Sequence, residues 1–355
     1  MIERDDLKAA VGSGLISESQ AAGLISLADS RRGARENLTP GDEPFELFRG
    51  FNEIFIVIGL IILSFGWSGV VALALGDEVV NLQDYAMWVT LIGGGLLWLL
   101  SEYFVRKRRM IAPAIALSVM FAGNAAFGFT AVLSEPFMIA QNDYSSVPFP
   151  LFLATFALGV YWWRFRVPFA MAMIAVGLFI VAIVYAASRE GRIAGFSEFF
   201  LLSADGPFAW ITLALGVLVF AVAMIFDMSD PHRVTRRSAN GFWLHVVAAP
   251  ALVNTMALSL LNQDSGGSSV ILLGVLLLFA IVAIVIDRRS FLIAAIGYIV
   301  ALAATVFEGD GAALTVLVLG VVLLLLGAFW ERIRARVLRL MPGFVPLHRL
   351  PPSQV

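Results

Sequence analysis

The sequence of 355 residues contains no cysteine. Disulfide bonds, thiolate zinc sites, iron–sulfur clusters and cysteine nucleophiles are therefore excluded, and the redox compartment is left open. Histidine is nearly as scarce, because only His232, His245 and His348 occur and no two have metal-ligand spacing. No nucleophile with a base, and no pair of acids at catalytic spacing, is apparent. We predict a protein that is not an enzyme and that needs no metal or cofactor.

Charge is also scarce. Only 14% of the residues are charged and 60% are hydrophobic, whereas soluble domains are about half apolar and a quarter charged. The apolar residues form long blocks, and about 20 such residues suffice for a helix to cross the hydrocarbon core. We predict an all-α, polytopic transmembrane bundle. Its ten spans are 51–75, 85–105, 110–132, 147–163, 167–187, 207–226, 241–261, 269–286, 290–307 and 311–330.

The four consecutive cations at 106–109 fix the orientation. They are too costly to move through lipid, so they belong on the cytoplasmic side, where Lys and Arg accumulate. With them inside, 22 of the 24 Lys and Arg residues fall on one side, and only Arg189 and Arg192 lie opposite. We therefore predict a bacterial inner-membrane protein with both termini in the cytoplasm and with the lipid bilayer as its main partner.

The basic loops recur at the starts of helical hairpins. Pro113 and Pro168 each open the helix that follows such a loop, where a proline is tolerated because that N–H has no helical partner. A duplicated hairpin array is one interpretation. The other is that any short cytoplasmic hairpin has this composition.

Two polar segments flank the predicted membrane domain at 45–330. Residues 1–44 predict a helical pair and a linker, with Ser17 and Gln20 at capping-box spacing. The first fifty residues carry nine acids against six cations, so nucleic acid is excluded as a partner. Residues 331–355 begin with a basic amphipathic stretch, which we expect to lie on anionic lipid at the cytoplasmic face.

Polar residues at membrane depth are the candidate ligand-binding residues. Asn124 lies in the middle of the third span, and Asn254 lies one turn after Pro250, which should kink the seventh span. The alternative for both amides is an ordinary interhelical hydrogen bond. His245 falls on the opposite face from Asn254, near the cytoplasmic end, and we interpret it as a snorkelling interfacial side chain.

Acidic residues recur where helices meet the cytoplasmic face. Such a set could form a carboxylate ring that binds cations or relays protons, whereas the simpler interpretation is that each acid pairs with a neighbouring cation. Glu53 and Glu102 have i,i+4 arginine partners in the sequence. The candidate ring consists of Glu53, Glu102, Asp227 and Asp287, and Glu331 shares the pattern.

The N-terminal pattern Leu7…Gly14-Leu15-Ile16-Ser17-x-x-Gln20…Leu24-Ile25 resembles that of a bacterial family of predicted multispanning inner-membrane proteins of unknown function. The resemblance implies a short N-terminal helical segment ahead of a many-span domain. It supplies no catalytic or binding residues.

Two functions follow from these observations. The first is a non-enzymatic, transporter-like membrane domain, or one that binds a lipid or another apolar ligand, and it is motivated by Pro250 and the mid-depth amides. The second is a membrane scaffold or regulatory protein in which residues 1–44 bind a protein partner.

Overall fold

The computed structural model describes residues 4–17, 52–75, 82–136, 143–190, 196–202, 207–233, 235–262, 267–291, 327–343 and 345–351, with a few short runs and single positions between them. Every regular element in this part of the chain is helical. The main helices are α1 Arg4–Gly12, α2 Asn52–Leu75, α3 Leu82–Ser101, α4 Ile111–Leu133, α5 Pro148–Phe165, α6 Pro168–Glu190, α7 Phe208–Ser229, α8 Arg236–Leu261, α9 Ser268–Val285 and α10 Trp330–Leu340.

Helices α2 to α9 coincide with the first eight predicted spans. Six of them, α2, α3 with its continuation to Lys107, α4, α6, α7 and α8, are long and apolar enough to cross a membrane. Helices α5 and α9 have 18 residues each. The predicted spans 290–307 and 311–330 lie largely outside the described residues. The described part of the chain is therefore all-helical with six helices of membrane-crossing character, and the total of ten spans stays a prediction.

The N-terminal capping box is formed. The Ser17 N–H donates to Gln20 Oε1 at 2.9 Å, and the Gln20 N–H donates to Ser17 Oγ at 3.2 Å. Helix α1 precedes it and ends where Gly14 adopts a φ of 73°, a conformation that glycine reaches without steric cost. The helix expected after Ser17 is described at only a few positions, so the helical pair stays a prediction.

Helix α8 is the central element of the second half. In its apolar, membrane-crossing segment 56% of the residues are buried, against 6% in the corresponding segment of α2. Helix α8 packs on α6, α7 and α9. Helix α4 has the corresponding position in the first half, where it contacts α2, α3, α5 and α6. α2 leaves large apolar side chains such as Phe65 and Leu73 exposed. That surface suits a lipid solvent, in which exposed apolar side chains carry no penalty.

The loops predicted to be cytoplasmic share a backbone conformation. Among the described non-glycine residues, only four have a positive φ, and each lies in one of these loops: Arg109, Arg166, Arg233 and Asp287. A helix begins two residues after Arg109, Arg166 and Asp287, and three residues after Arg233. Such conformations are uncommon for side-chain-bearing residues and cost about 1 kcal/mol or more each. The recurrence supports the hypothesis of a repeated hairpin.

Candidate functional site

Three ionisable side chains that are far apart in the sequence meet at one end of α7, α8 and α9. Asp227 lies in the last turn of α7, His245 in the third turn of α8, and Arg288 just after α9. Asp227 Oδ2 lies 3.0 Å from His245 Nε2 and accepts a hydrogen bond from Arg288 Nε at 2.9 Å. Arg288 Nη2 donates to Asp227 Oδ1, which completes a bidentate pair, and also to the Ser238 carbonyl at 2.8 Å. We call Asp227, His245 and Arg288 the buried triad.

A glycine on α8 makes room for the triad. A Cβ at Gly241 would lie 2.3 Å from Asp227 Oδ1 and 3.2 Å from the Ala223 carbonyl oxygen. Contacts below 3.0 Å cannot be accommodated without movement, so any side chain at this position would displace the carboxylate. The close approach of α7 and α8 at this point therefore depends on Gly241.

His245 is fully buried, with 0% of its surface exposed. Its ring contacts the rings of Phe220 and Phe291, whose centroids are 5.5 Å and 5.8 Å away, and those two rings also contact each other. The interpretation of His245 as a snorkelling side chain is therefore wrong. A hydropathy profile places it near a helix end but cannot show that Asp227 and two phenylalanines enclose it.

One atom of the triad has no partner. In the described part of the chain, His245 Nδ1 is buried and makes no hydrogen bond. Asp227 and Arg288 neutralise each other, so a neutral imidazole can donate from Nε2 to Asp227 and present a bare acceptor at Nδ1. A proton bound at Nδ1 would be buried without an acceptor among the described residues.

A second ionic group borders the triad. Arg233 Nη1 pairs with Asp287 Oδ2 at 2.8 Å, and its Nη2 donates to the Asp287 carbonyl at 2.7 Å. Burial, and after it the charge of Arg288, lower the pKa of Arg233, whereas the charges of Asp287 and Asp227 raise it. Trp330 Nε1 donates to Asp287 Oδ1 at 2.8 Å and so attaches the start of α10 to this group.

The basic tail helix α10 does not present all of its arginines outward. Arg334 is 1% exposed and donates to the carbonyls of Ile284 and Pro351. The expectation that this whole basic run faces lipid is wrong for Arg334, because it binds the carbonyl-rich end of α9. Arg332, Arg336 and Arg339 are exposed, as predicted.

The four acids of the candidate ring have separate partners. Glu102 pairs with Arg106 at 2.9 Å, as the i,i+4 spacing predicts, and with Arg164 at 2.8 Å. Glu53 is 2% exposed and accepts a hydrogen bond from the Ala112 N–H at 3.2 Å, at the start of α4. No group of three or more potential metal ligands occurs among the described residues. Asp227 and Asp287 belong to the ionic groups described above.

Asn124 makes a helix–helix hydrogen bond. Its Nδ2 donates to the Thr90 carbonyl at 3.0 Å, and a Cβ at Gly93 would lie 2.8 Å from Asn124 Oδ1. These contacts fit the packing interpretation of the amide. Asn254 is half-buried on α8, and its amide makes no hydrogen bond to any described residue. α8 is helical through Pro250, whose side chain is exposed, and no hydrogen bond in the described part joins Asn124 or Asn254 to His245.

No family model, curated protein or solved structure matches this chain. The resemblance of the N-terminal segment to a family of inner-membrane proteins therefore stays a prediction.

Proposed function

We propose that this chain is a ten-span protein of the bacterial inner membrane with both termini in the cytoplasm. The six long apolar helices and the one-sided distribution of cations support this orientation. The four non-glycine residues with a positive φ fall in the loops assigned to the cytoplasm, as expected if each of these loops precedes a related hairpin.

Within that frame, we propose a non-enzymatic, transporter-like function in which His245 binds and releases a proton. The observation that carries the proposal is the fully buried histidine, bonded to Asp227, with its Nδ1 unpartnered among the described residues. Ionisable groups inside membrane helices are rare and commonly mark proton or substrate pathways. Histidine is the side chain that changes charge most readily near neutral pH.

The surroundings favour a proton over a metal ion. Arg288 donates to both oxygens of Asp227, and His245 Nε2 lies 3.0 Å from one of them, so two side chains already occupy the carboxylate that a metal ion would need. His245 Nδ1, which makes no hydrogen bond to the described residues, can accept a proton while the Asp227–Arg288 pair stays closed. Movement of the histidine or of a bound substrate would then determine where the proton is released.

The experiment is proton flux into proteoliposomes. We would reconstitute the full chain, impose a pH gradient with potassium and valinomycin as charge compensation, and follow an internal pH dye. We expect the protein to dissipate the gradient faster than empty liposomes, and His245→Phe to abolish the difference. His245→Gln can still donate to Asp227 but cannot carry a proton, so it should fail in the same way while retaining the thermal midpoint.

The matched control is His232→Phe, which removes an exposed histidine from the loop between α7 and α8. We expect it to leave the flux unchanged. A wild-type rate equal to that of empty liposomes, or equal rates for wild type and His245→Gln, would refute the proposal.

Binding of an apolar ligand is a second candidate. A cleft of about 390 Å³ opens between α5 and α6, and its lining is almost entirely apolar. Thr155, one of the lining residues, donates its hydroxyl to the Leu151 carbonyl of its own helix at 2.9 Å, so this hydroxyl proton is not available to a ligand. Gly159→Leu should fill it, and an unchanged affinity for a brominated lipid, measured by quenching of Trp163, would exclude this site.

A scaffold role for residues 1–44 is favoured by exposed apolar side chains near the capping box. Leu15, Leu24 and Leu27 are 80%, 46% and 46% exposed. Deletion of residues 1–44 should abolish function if a partner binds there. Proton flux that survives this deletion would favour the transporter-like function instead.

A further inference from the structure

Five arginines that lie at, or contact, the start of α10 and the end of α9 fall into two groups. Arg233, Arg288 and Arg334 each donate to at least two acceptors. Arg289 and Arg332 are exposed and have neither a hydrogen bond nor an ion pair with any residue in the described part of the chain. Two guanidinium groups without a hydrogen bond to the described residues thus lie beside three that are hydrogen-bonded.

Arg289 and Arg332 are both held in place by aromatic rings. The Arg289 guanidinium carbon lies 5.2 Å from the Trp330 ring centroid, and that of Arg332 lies 5.6 Å from the Phe329 centroid. A cation–π contact uses none of the guanidinium N–H groups as a donor to oxygen, so these groups stay available for a bidentate contact. The two side chains line one cavity of about 350 Å³, which Glu331 also lines.

We propose that this cavity binds the phosphodiester of an anionic phospholipid. Two arginines and one glutamate give the lining a net charge of +1, which matches a single phosphodiester anion better than a phosphate dianion. Arginine edges fit phosphate oxygens bidentately. The cavity lies where the last predicted span passes into α10, at the headgroup level of the proposed cytoplasmic leaflet, where basic pockets bind acidic lipids. The inference rests on the proposed orientation and does not require proton transport.

The experiment is native mass spectrometry of the full chain in neutral detergent. A neutral detergent micelle provides no anionic surface that could attract the arginines non-specifically. Lipid that stays bound to the protein therefore indicates a defined binding site. We would titrate phosphatidylglycerol and compare wild type with Arg289→Gln/Arg332→Gln. We expect roughly 25-fold weaker binding in the double variant, because each arginine contributes a factor of about five.

The matched control is Arg336→Gln/Arg339→Gln, which removes the same charge from exposed positions on α10 outside the cavity. We expect this variant to retain the lipid. Equal loss in both double variants, or loss in neither, would overturn the proposal.

Two further ligands distinguish the source of the phosphate. Phosphatidylcholine should bind weakly, because its headgroup has no net charge. Inorganic phosphate at millimolar concentration should not displace phosphatidylglycerol from wild type. If it does so, and also binds alone with the same dependence on Arg289 and Arg332, the site takes free phosphate and the assignment to a lipid is wrong.

Discussion

Replacement of Asp227 by asparagine tests whether the buried triad stabilises the fold. The change preserves the shape of the side chain and removes its charge. Arg288, only 7% exposed, would then keep two uncharged acceptors, the Ser238 carbonyl and the amide oxygen, but would lose its counter-ion. His245 would lose a charged acceptor at Nε2 as well.

The expected cost follows from burial. Removal of one partner from a buried ion pair costs about 3–5 kcal/mol, since the remaining charge stays desolvated. Glu102 provides the comparison, because it pairs with two arginines near a helix end, but its side chain is 30% exposed. Exposed pairs contribute about 0–1 kcal/mol each. Asp227→Asn should therefore destabilise the protein several-fold more than Glu102→Gln.

The assay is thermal unfolding of the purified protein in detergent, followed by the fluorescence of its eight tryptophans. We expect Asp227→Asn to lower the midpoint far more than Glu102→Gln. The double variant Asp227→Asn/Arg288→Met removes both charges, so it should recover part of the loss. Equal midpoints for Asp227→Asn and Glu102→Gln, or an additive double variant, would refute the claim that the pair is buried and coupled.

Two further substitutions test helix contacts. Gly241→Ala should lower the thermal midpoint because its Cβ would collide with Asp227, whereas Gly159→Ala meets no atom within 4 Å and should raise the midpoint slightly through helix propensity. Asn124→Leu should reduce stability by about 1 kcal/mol through loss of the bond to the Thr90 carbonyl, with proton flux per folded molecule unchanged. A fully stable Asn124→Leu variant without flux would instead make Asn124 part of the functional site.

Hydropathy predicted the positions of the helices more accurately than their first and last residues. The seventh predicted span begins at residue 241, whereas α8 begins at Arg236, because the Thr235 side chain caps it by accepting from the Arg237 N–H at 3.1 Å. Hydropathy identifies the apolar segment that can lie in lipid. It cannot show that the helix continues beyond that segment into water. The capping box at Ser17 was predictable because both of its partners lie within one turn.

The triad could be predicted only in part. The sequence marked Asp227 as an acid at a helix end and His245 as a rare ionisable group. It could not pair Asp227 with Arg288, which is 61 residues away, because that contact depends on how α7, α8 and α9 pack. Gly241 was the available signal, since a glycine four residues before a helical histidine leaves space on the same face for another element.

The membrane orientation is the claim on which the remaining conclusions depend, and the absence of cysteine allows a direct test. Single cysteines would replace exposed Ser145, in the loop between α4 and α5, and exposed Lys107, at the end of α3. An impermeant maleimide added to intact cells should label position 145, and it should reach position 107 only after lysis. Equal labelling of both positions in intact cells would contradict the account.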